Sequence, residues 1–424
     1  MQASSPGSLP PPAAAASGSV AANAAGNVTK TVAFKTRLPD VYVGPTHFRR
    51  GLRSLRTIKP DLAVRNLRNR QRKLTASSLD ALTKGLTVPI TMTLRAYYRL
   101  FHHLHPFEAT VADLVVQARV KRGEPSLSDI MAGLKALRAA TGRTGKHYAH
   151  LGAEADSAVE AKALLEEGQE ELRKLYCGEG EGILTAAQEA EDLKRLLRGE
   201  EDDAAFSGLH LALSDMVTLQ KELRRIPVLE LDTQTCVLVG TPNVGKSTLV
   251  RALSTGTPEV NDYPFTTRSV TIGHVVVPER ELRFQVMDTP GLLDRPAVDR
   301  NEMENLTFAS LLHLPTAVIF VIDPSGLSGD HHSSLQAQLA VREMLREQFP
   351  QRPWLDVVSK ADLDVPQSVL DQLPRGHLQV SVHDGTNMQE LREKMEKMLT
   401  VDLQALLQER DANKAAGRDE EKIF

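Results

Sequence analysis

Cysteine is nearly missing from this chain of 424 residues. Only Cys177 and Cys236 occur, which excludes a disulfide framework and fits a reducing compartment. Aromatic residues make up only 4%, so Leu- and Ala-rich helical packing is expected over aromatic-rich β packing. No run approaches the ~18 apolar residues of a membrane span. The longest apolar segment, Ala317 to Ile322, has the length of a buried strand, and no membrane partner is expected. Charge is also absent from residues 1–29, and the first acid is Asp40. That Ala/Ser/Pro/Gly-rich stretch cannot bury a core, so residues 1–44 are expected to be a disordered leader. Its acid-poor, Ser/Ala-rich composition is that of an organelle transit peptide, and its scarcity of Arg suits a plastid better than a mitochondrion. A plain flexible tail is the alternative.

What is present is organised around Cys236 to Leu249, CVLVGTPNVGKSTL. An apolar β run leads into Gly240-Thr241-Pro242-Asn243-Val244-Gly245-Lys246-Ser247-Thr248 and then a helix start. Gly, four residues and Gly-Lys-Ser is the spacing of a phosphate-binding P-loop. Successive backbone N–H groups form an anion nest, and the helix N-terminus points its positive end at the phosphates. Lys246 reaches the β/γ-phosphates, and the Ser247 hydroxyl is placed for Mg²⁺.

The net charge of −3 hides an asymmetry. Residues 1–150 carry 23 Lys+Arg against 7 Asp+Glu, and the remainder is correspondingly acidic. A basic first third points to a polyanion. Arg49, Arg50, Arg53, Arg56, Arg65, Arg68, Arg70, Arg72 and Lys73 are the expected phosphate contacts, with a solvated helix face as the alternative. Tyr97, Tyr98, Phe101 and Phe107 are read as bundle core, stacking on bases being the other use. His102, His103 and His105 lack Cys or carboxylate partners at metal-ligand spacing. Residues 45–227 are expected to form a helical bundle, with Gly142-Arg143-Thr144-Gly145 as a turn or short break. An acidic insert covers about Cys177–Gly208. Residues 228–402 alternate strand and helix, which predicts a mainly parallel, doubly wound α/β sheet. Residues 403–424 are expected to be a polar, fraying tail.

Further segments narrow the nucleotide. Asp288-Thr289-Pro290-Gly291 follows a strand, where Asp288 can hold Mg²⁺ through water and the Gly291 amide can sense a γ-phosphate. Asp262 to Thr267 offers a hydroxyl that completes the Mg²⁺ shell only when that phosphate is present. In Ser359-Lys360-Ala361-Asp362, the Asp362 carboxylate can accept N1–H and N2–H₂ of guanine, which adenine does not offer. Backbone N–H groups at Ser381-Val382 are placed for the guanine O6. The set looks like a Ras-like GTPase domain binding GTP and GDP.

Two residues qualify the chemistry. Leu292 stands where Ras-like enzymes carry a water-orienting glutamine, which predicts slow intrinsic hydrolysis. Ser359 replaces the usual asparagine of the guanine motif, so its bonds to base and P-loop are expected to be lost.

At Gly240–Ser247, Tyr263-Pro264-Phe265-Thr266-Thr267-Arg268 and Asp288–Asp294 the sequence resembles the Obg-related GTPases, nearest the nucleolar GTP-binding (Nog-type) family. His105-Pro106-Phe107, Leu223–Pro227, Asp294-Arg295-Pro296 and Asp299-Arg300-Asn301 resemble further parts of that family. The resemblance implies an amino-terminal four-helix bundle before the GTPase domain, and rRNA binding during assembly of the large ribosomal subunit. It implies ribosomal proteins or assembly factors as partners and a monomer off the ribosome. It makes Thr267 a Mg²⁺ ligand, with Lys246, Thr267 and Gly291 at the reacting phosphate. Asn243 resembles the asparagine that holds K⁺ in some GTPases lacking the glutamine, a backbone-capping role being the alternative. The uncharged leader and acidic insert favour a chloroplast member, with mitochondrion or nucleolus as alternatives. A signalling or trafficking G protein, or a degenerate G domain acting as a structural placeholder, are the competing readings.

Overall fold

A computed structural model describes residues 37–178, 209–227, 229–265, 270–277, 282–293, 295, 300–326 and 334–408. The leader before residue 37, most of the acidic insert, Thr266 and Thr267, and the tail beyond 408 lie outside the described residues.

The helical part begins with α1 (Gly44–Gly51) and a 3₁₀ turn (Leu52–Thr57). Five longer helices follow: α2 (Leu67–His102), α3 (Pro106–Lys121), α4 (Leu127–Glu154), α5 (Ala158–Cys177) and α6 (Leu211–Arg224). Their starts are written in the sequence. Asn66, Ser126 and Ser157 each accept a backbone N–H of the first turn, and His105 does so before Pro106. His105 is therefore a cap. Tyr97 and Phe107 are buried in the bundle, whereas Tyr98 is exposed.

The expected break at Gly142–Gly145 does not occur, because α4 runs through it. Gly145 serves close packing instead. A Cβ there would lie 1.9 Å from Thr83 Oγ1 on α2, so only glycine lets the two helices approach this closely.

The α/β part is a seven-stranded mixed sheet in the order β2-β3-β4-β1-β5-β6-β7. Its strands are β1 (Thr235–Val239), β2 (Glu259–Asn261), β3 (Val270–Val277), β4 (Leu282–Asp288), β5 (Thr316–Ile322), β6 (Trp354–Val358) and β7 (Leu378–Gln379). β1 pairs in parallel with β4 and β5, and β5–β6 and β6–β7 are parallel. β2–β3–β4 is antiparallel. Helices α7 (Lys246–Leu253), α8 (Glu302–His313), α9 (Leu335–Gln348), α10 (Gln367–Leu370) and α11 (Met388–Lys397) connect or flank them. Alternation decides the two faces of the sheet. Cys236 and Leu238 point into one core with Leu249 and Val250, and Val237 and Val239 point into another with Val341 and Leu345.

The expected polar tail is partly core. A π turn at Met398–Asp402 prolongs α11, and Leu403 and Leu406 are buried beneath the sheet. The polar look of the sequence there comes from the solvent side of an amphipathic helix.

Helical bundle and sheet share one core. Tyr263, Ile272, Met287 and Leu306 belong to the apolar cluster that contains Leu79, Leu94 and Val111. Helix α3 lies against α8, where Lys121 pairs with Glu302 and Thr110 meets His313 Nε2 at 3.3 Å. Arg119 of α3 is buried and pairs with Glu222 of α6 and with Glu124, each at 3.0 Å.

Three half-buried or buried histidines give this core a pH dependence. His47 stacks on Tyr176 at 5.3 Å and bonds Leu86 O. Burial is the main cause that lowers the pKa of His47, His105 and His313. A depressed histidine pKa means that the unfolded chain binds more protons. This contribution is complete above the unfolded value of about 6.5 and is lost as pH falls through the folded values. Chemical denaturation is expected to show lower stability at pH 5.5 than at 7.5, with a smaller loss in His47→Gln.

Candidate nucleotide site

The site forms where β1 ends and α7 begins. The backbone from Gly240 to Gly245 takes left-handed values at Gly240, Asn243 and Gly245, which turns the chain back on itself. Lys246 lies within this turn, and its Nζ donates to Gly240 O at 3.0 Å and Thr241 O at 2.7 Å. Its buried charge thus sits at the centre of the nest. Asn243 is exposed at the tip of the loop, and Ser247 and Thr248 at the helix start are exposed too.

Asp288 ends β4 directly beside Leu238 of β1, and its Oδ2 accepts a hydrogen bond from Ser247 Oγ. Burial pushes the Asp288 carboxyl above the ordinary range, against the opposing bond from Ser247 and the charge of Lys246. Its second oxygen, Oδ1, is buried without a hydrogen-bond partner among the described residues. A hydroxyl and a carboxylate in contact, with one carboxylate oxygen left over, suit a hard cation that keeps most of its waters. Ser247 and Asp288 therefore fit Mg²⁺. Thr267, the other ligand implied by resemblance, is outside the described residues.

Gly291 touches the P-loop. A Cβ on it would come within 2.5 Å of Pro242 N and 2.7 Å of Pro242 Cα, so any larger residue displaces one of the two loops. Leu292 donates its amide to Gly240 O at 3.1 Å, while its side chain is buried with Val237, Val239 and Leu311. It presents no polar atom to a water.

The guanine-side loops correct one expectation. Ser359 keeps a tie to the P-loop: its Oγ donates to Val244 O at 2.7 Å and lies 3.2 Å from Ile322 O. The hydroxyl thus bridges the ends of β5 and β6 to the P-loop. Lys360, in a left-handed conformation, pairs with Asp323 at 2.5 Å. Burial opposes ionisation of Asp323, but the bonds from Lys360 and Ser325 outweigh it and hold its carboxyl below the usual range. Asp362 is exposed and accepts a bond from Ser381 Oγ at 2.7 Å. The Ser381 N–H donates to Thr386 O at 3.1 Å, so it is already committed inside its own loop. Ser381 positions Asp362, and Val382 stands partly exposed beside it.

Sequence reasoning missed Glu304. This carboxylate is buried in the first turn of α8, where it accepts from Leu293 N at 3.1 Å and Asn301 N at 3.0 Å and pairs with Arg295. It ties the segment after Gly291 to the following helix. The signal was present, since Asn301-x-x-Glu304 has capping-box spacing.

The basic set divides. Arg70 donates to Val64 O, and Arg72 to Ala155 O and Glu154 O, so both secure the ends of neighbouring segments. Arg68 reaches Asp156 O at 3.5 Å, and Lys73 pairs with Asp61. Arg49, Arg50, Arg53, Arg56 and Arg65 are exposed and form no ion pair among the described residues, although Arg50 lies over the Tyr42 ring at 4.0 Å. No group of three or more His, Cys, Asp or Glu among the described residues could hold a metal, the His102–His105 segment included.

Two substitutions test this geometry. Ser359→Ala strands the Val244 carbonyl and is expected to cost about 1–3 kcal/mol of unfolding free energy in denaturant titrations without nucleotide. Glu304→Ala is expected to raise amide exchange at Leu293 and Asn301 specifically; unchanged protection there would refute the tether.

Residues 235–360 match the family model described as a 50S ribosome-binding GTPase. Proteins called nucleolar GTP-binding protein 1 are similar. The one from Arabidopsis thaliana is 34% identical over 161 residues, covering 38% of this chain and 23% of that protein. The one from Encephalitozoon cuniculi is 39% identical over 137 residues, covering 32% and 25%. The chain thus matches about a quarter of the length of these curated relatives. A solved structure of a putative nucleolar GTP-binding protein 1 from Plasmodium falciparum is 23% identical, with a TM-score of 0.35, over 45% of this chain and all of that one. The chain is a helical region followed by a P-loop GTPase domain with a mostly parallel mixed sheet.

Proposed function

We propose that this protein is a GTP-hydrolysing switch that binds rRNA and acts in assembly of the large ribosomal subunit. The observation that carries the nucleotide half is the convergence on one edge of the sheet of Lys246, the Ser247–Asp288 pair and Asp362. The P-loop amides and Lys246 bind the phosphates. Ser247 and Asp288 would hold Mg²⁺, with Thr267 the further ligand that the resemblance implies, and the ion would supply positive charge to the phosphate oxygens. Asp362, held by Ser381, selects guanine. Gly291 packs closely on Pro242, and its amide would meet the reacting phosphate.

With buried Leu292 in the glutamine position, this chain supplies no side chain there to orient water, and intrinsic turnover is slow. Asn243, exposed at the loop tip, would be the ligand for K⁺, whose charge would substitute for an arginine finger. Equal GTP turnover in KCl and NaCl would remove K⁺ from this account.

The ribosomal half is supported by the description of the matched family and by the relatives' names, together with the exposed arginines of the first third. Precursors of the large subunit and their proteins are the partners. The composition of the leader supports a chloroplast location; the relatives' names favour the nucleolus, and import of a fluorescent fusion separates the two.

Asp362→Ala is expected to weaken GTP binding roughly 10- to 100-fold while leaving ATP binding unchanged, since it removes charge-assisted bonds that only guanine makes. Isothermal titration with both nucleotides checks it. Sedimentation of ribosomal particles with GTP, GDP and a non-hydrolysable analogue tests the whole reading. Nucleotide-dependent comigration with large-subunit precursors is expected, and its absence in all three states would overturn the ribosomal role.

A further inference from the structure

Helix α2 has a second face that neither the bundle core nor the nucleotide site uses. At 100° per residue, Val88, Met92, Arg95, Tyr98, Arg99 and His102 fall within about 120° of one another. The buried residues Leu82, Leu86, Ile90, Leu94 and Tyr97 occupy the opposite side. All six on the outer face are exposed. Three of them are large and apolar: Val88 at 49%, Met92 at 65% and Tyr98 at 72% exposure. Val88 and Met92 are neighbours one turn apart on this face, and Tyr98 stands at its other edge.

The charge around this face has one sign. No Asp or Glu occurs from Ala81 to Phe107, and Arg95 and Arg99 form no ion pair among the described residues. The two arginines bracket Tyr98, one turn before it and immediately after it, and His102 follows one turn later. The 3₁₀ turn that carries Arg53 and Arg56 packs on α2 where this face begins, with Ser54 Oγ donating to Ala81 O at 3.0 Å. The face therefore continues from the exposed arginines already described.

We propose that this face is a stacking platform for single-stranded RNA. Tyr98 receives an unpaired base on its ring, Arg95 and Arg99 hold the nearby phosphates, and Met92 and Val88 cover a base or sugar further along the strand. An exposed aromatic ring beside cations, without acids, matches the way sequence-tolerant single-strand binding is built: rings take bases and cations take the backbone. A duplex offers no unstacked base, so Tyr98 does not contribute to duplex binding. The proposal rests on the RNA-binding reading and adds to it the single-stranded character of the ligand.

The test uses the full chain and fluorescence anisotropy with a labelled, unstructured 12-nucleotide RNA and a duplex of equal length, each over a range of KCl. Circular dichroism confirms that every variant folds, as Tyr98 is exposed. Tyr98→Ala is expected to weaken single-strand binding about tenfold with an unchanged salt slope, and Tyr98→Trp is expected to restore it. Arg95→Gln and Arg99→Gln are each expected to reduce the slope by roughly 0.7. Equal loss on duplex and single strand, or no loss in Tyr98→Ala while the wild type binds, overturns the platform and leaves the arginine-based reading standing. No RNA binding by the wild type overturns both. If Tyr98→Ala keeps RNA affinity but loses comigration with ribosomal particles, the face binds protein and the proposal is wrong.

Discussion

Strand β1 is paired on both edges and buried on both faces, and its register governs the rest of the site. Leu238 lies opposite Asp288 on one side, and Val239 opposite Phe320 on the other. Because side chains alternate along a strand, a slip of one residue would move Asp288 away from Ser247 and turn the apolar sets to the wrong faces. The register is fixed by two incompatible surfaces: Cys236 and Leu238 fill the core under α7, and Val237 and Val239 fill the one under α9. The P-loop, the Ser247–Asp288 pair and the loop that carries Asp362 are then consequences of where parallel strands end. In sheets of this kind, ligands gather at the carboxyl edge.

Loops at that edge are held by short polar ties. Ser359 reaches Val244, Thr289 Oγ1 reaches Leu238 O at 2.7 Å, and Leu292 N reaches Gly240 O. Each joins segments that are distant in sequence. The site thus keeps its shape through bonds to backbone carbonyls, which require a hydroxyl or amide at a given point but not a particular side chain. This explains how serine in place of asparagine leaves the P-loop anchored.

Much of this was legible in the sequence. The P-loop spacing and the six strands of continuous or alternating apolar residues, β1 and β3 to β7, act locally, over a few residues. β2 was not legible, because a three-residue edge strand leaves no periodic trace. Nor were long-range requirements: Gly145 reads as a turn former and is in fact a point of helix contact, and Arg70 and Arg72 read only as phosphate contacts, whereas each also donates to backbone carbonyls. The apparently polar stretch after Asp402 hides Leu403 and Leu406, whose burial depends on a sheet assembled elsewhere.

The shared core of bundle and sheet bears on how this chain can be divided. Tyr263, Ile272, Met287 and Leu306 are covered together with residues of the bundle. Cutting the chain before residue 229 would leave the nucleotide-binding half with that apolar surface bare to solvent, beside a Glu302 stripped of Lys121. Such a fragment would expose an adhesive patch next to the very segment that follows the P-loop helix. Work on the isolated half would therefore describe an aggregation-prone object whose loop behaviour differs from that of the intact protein.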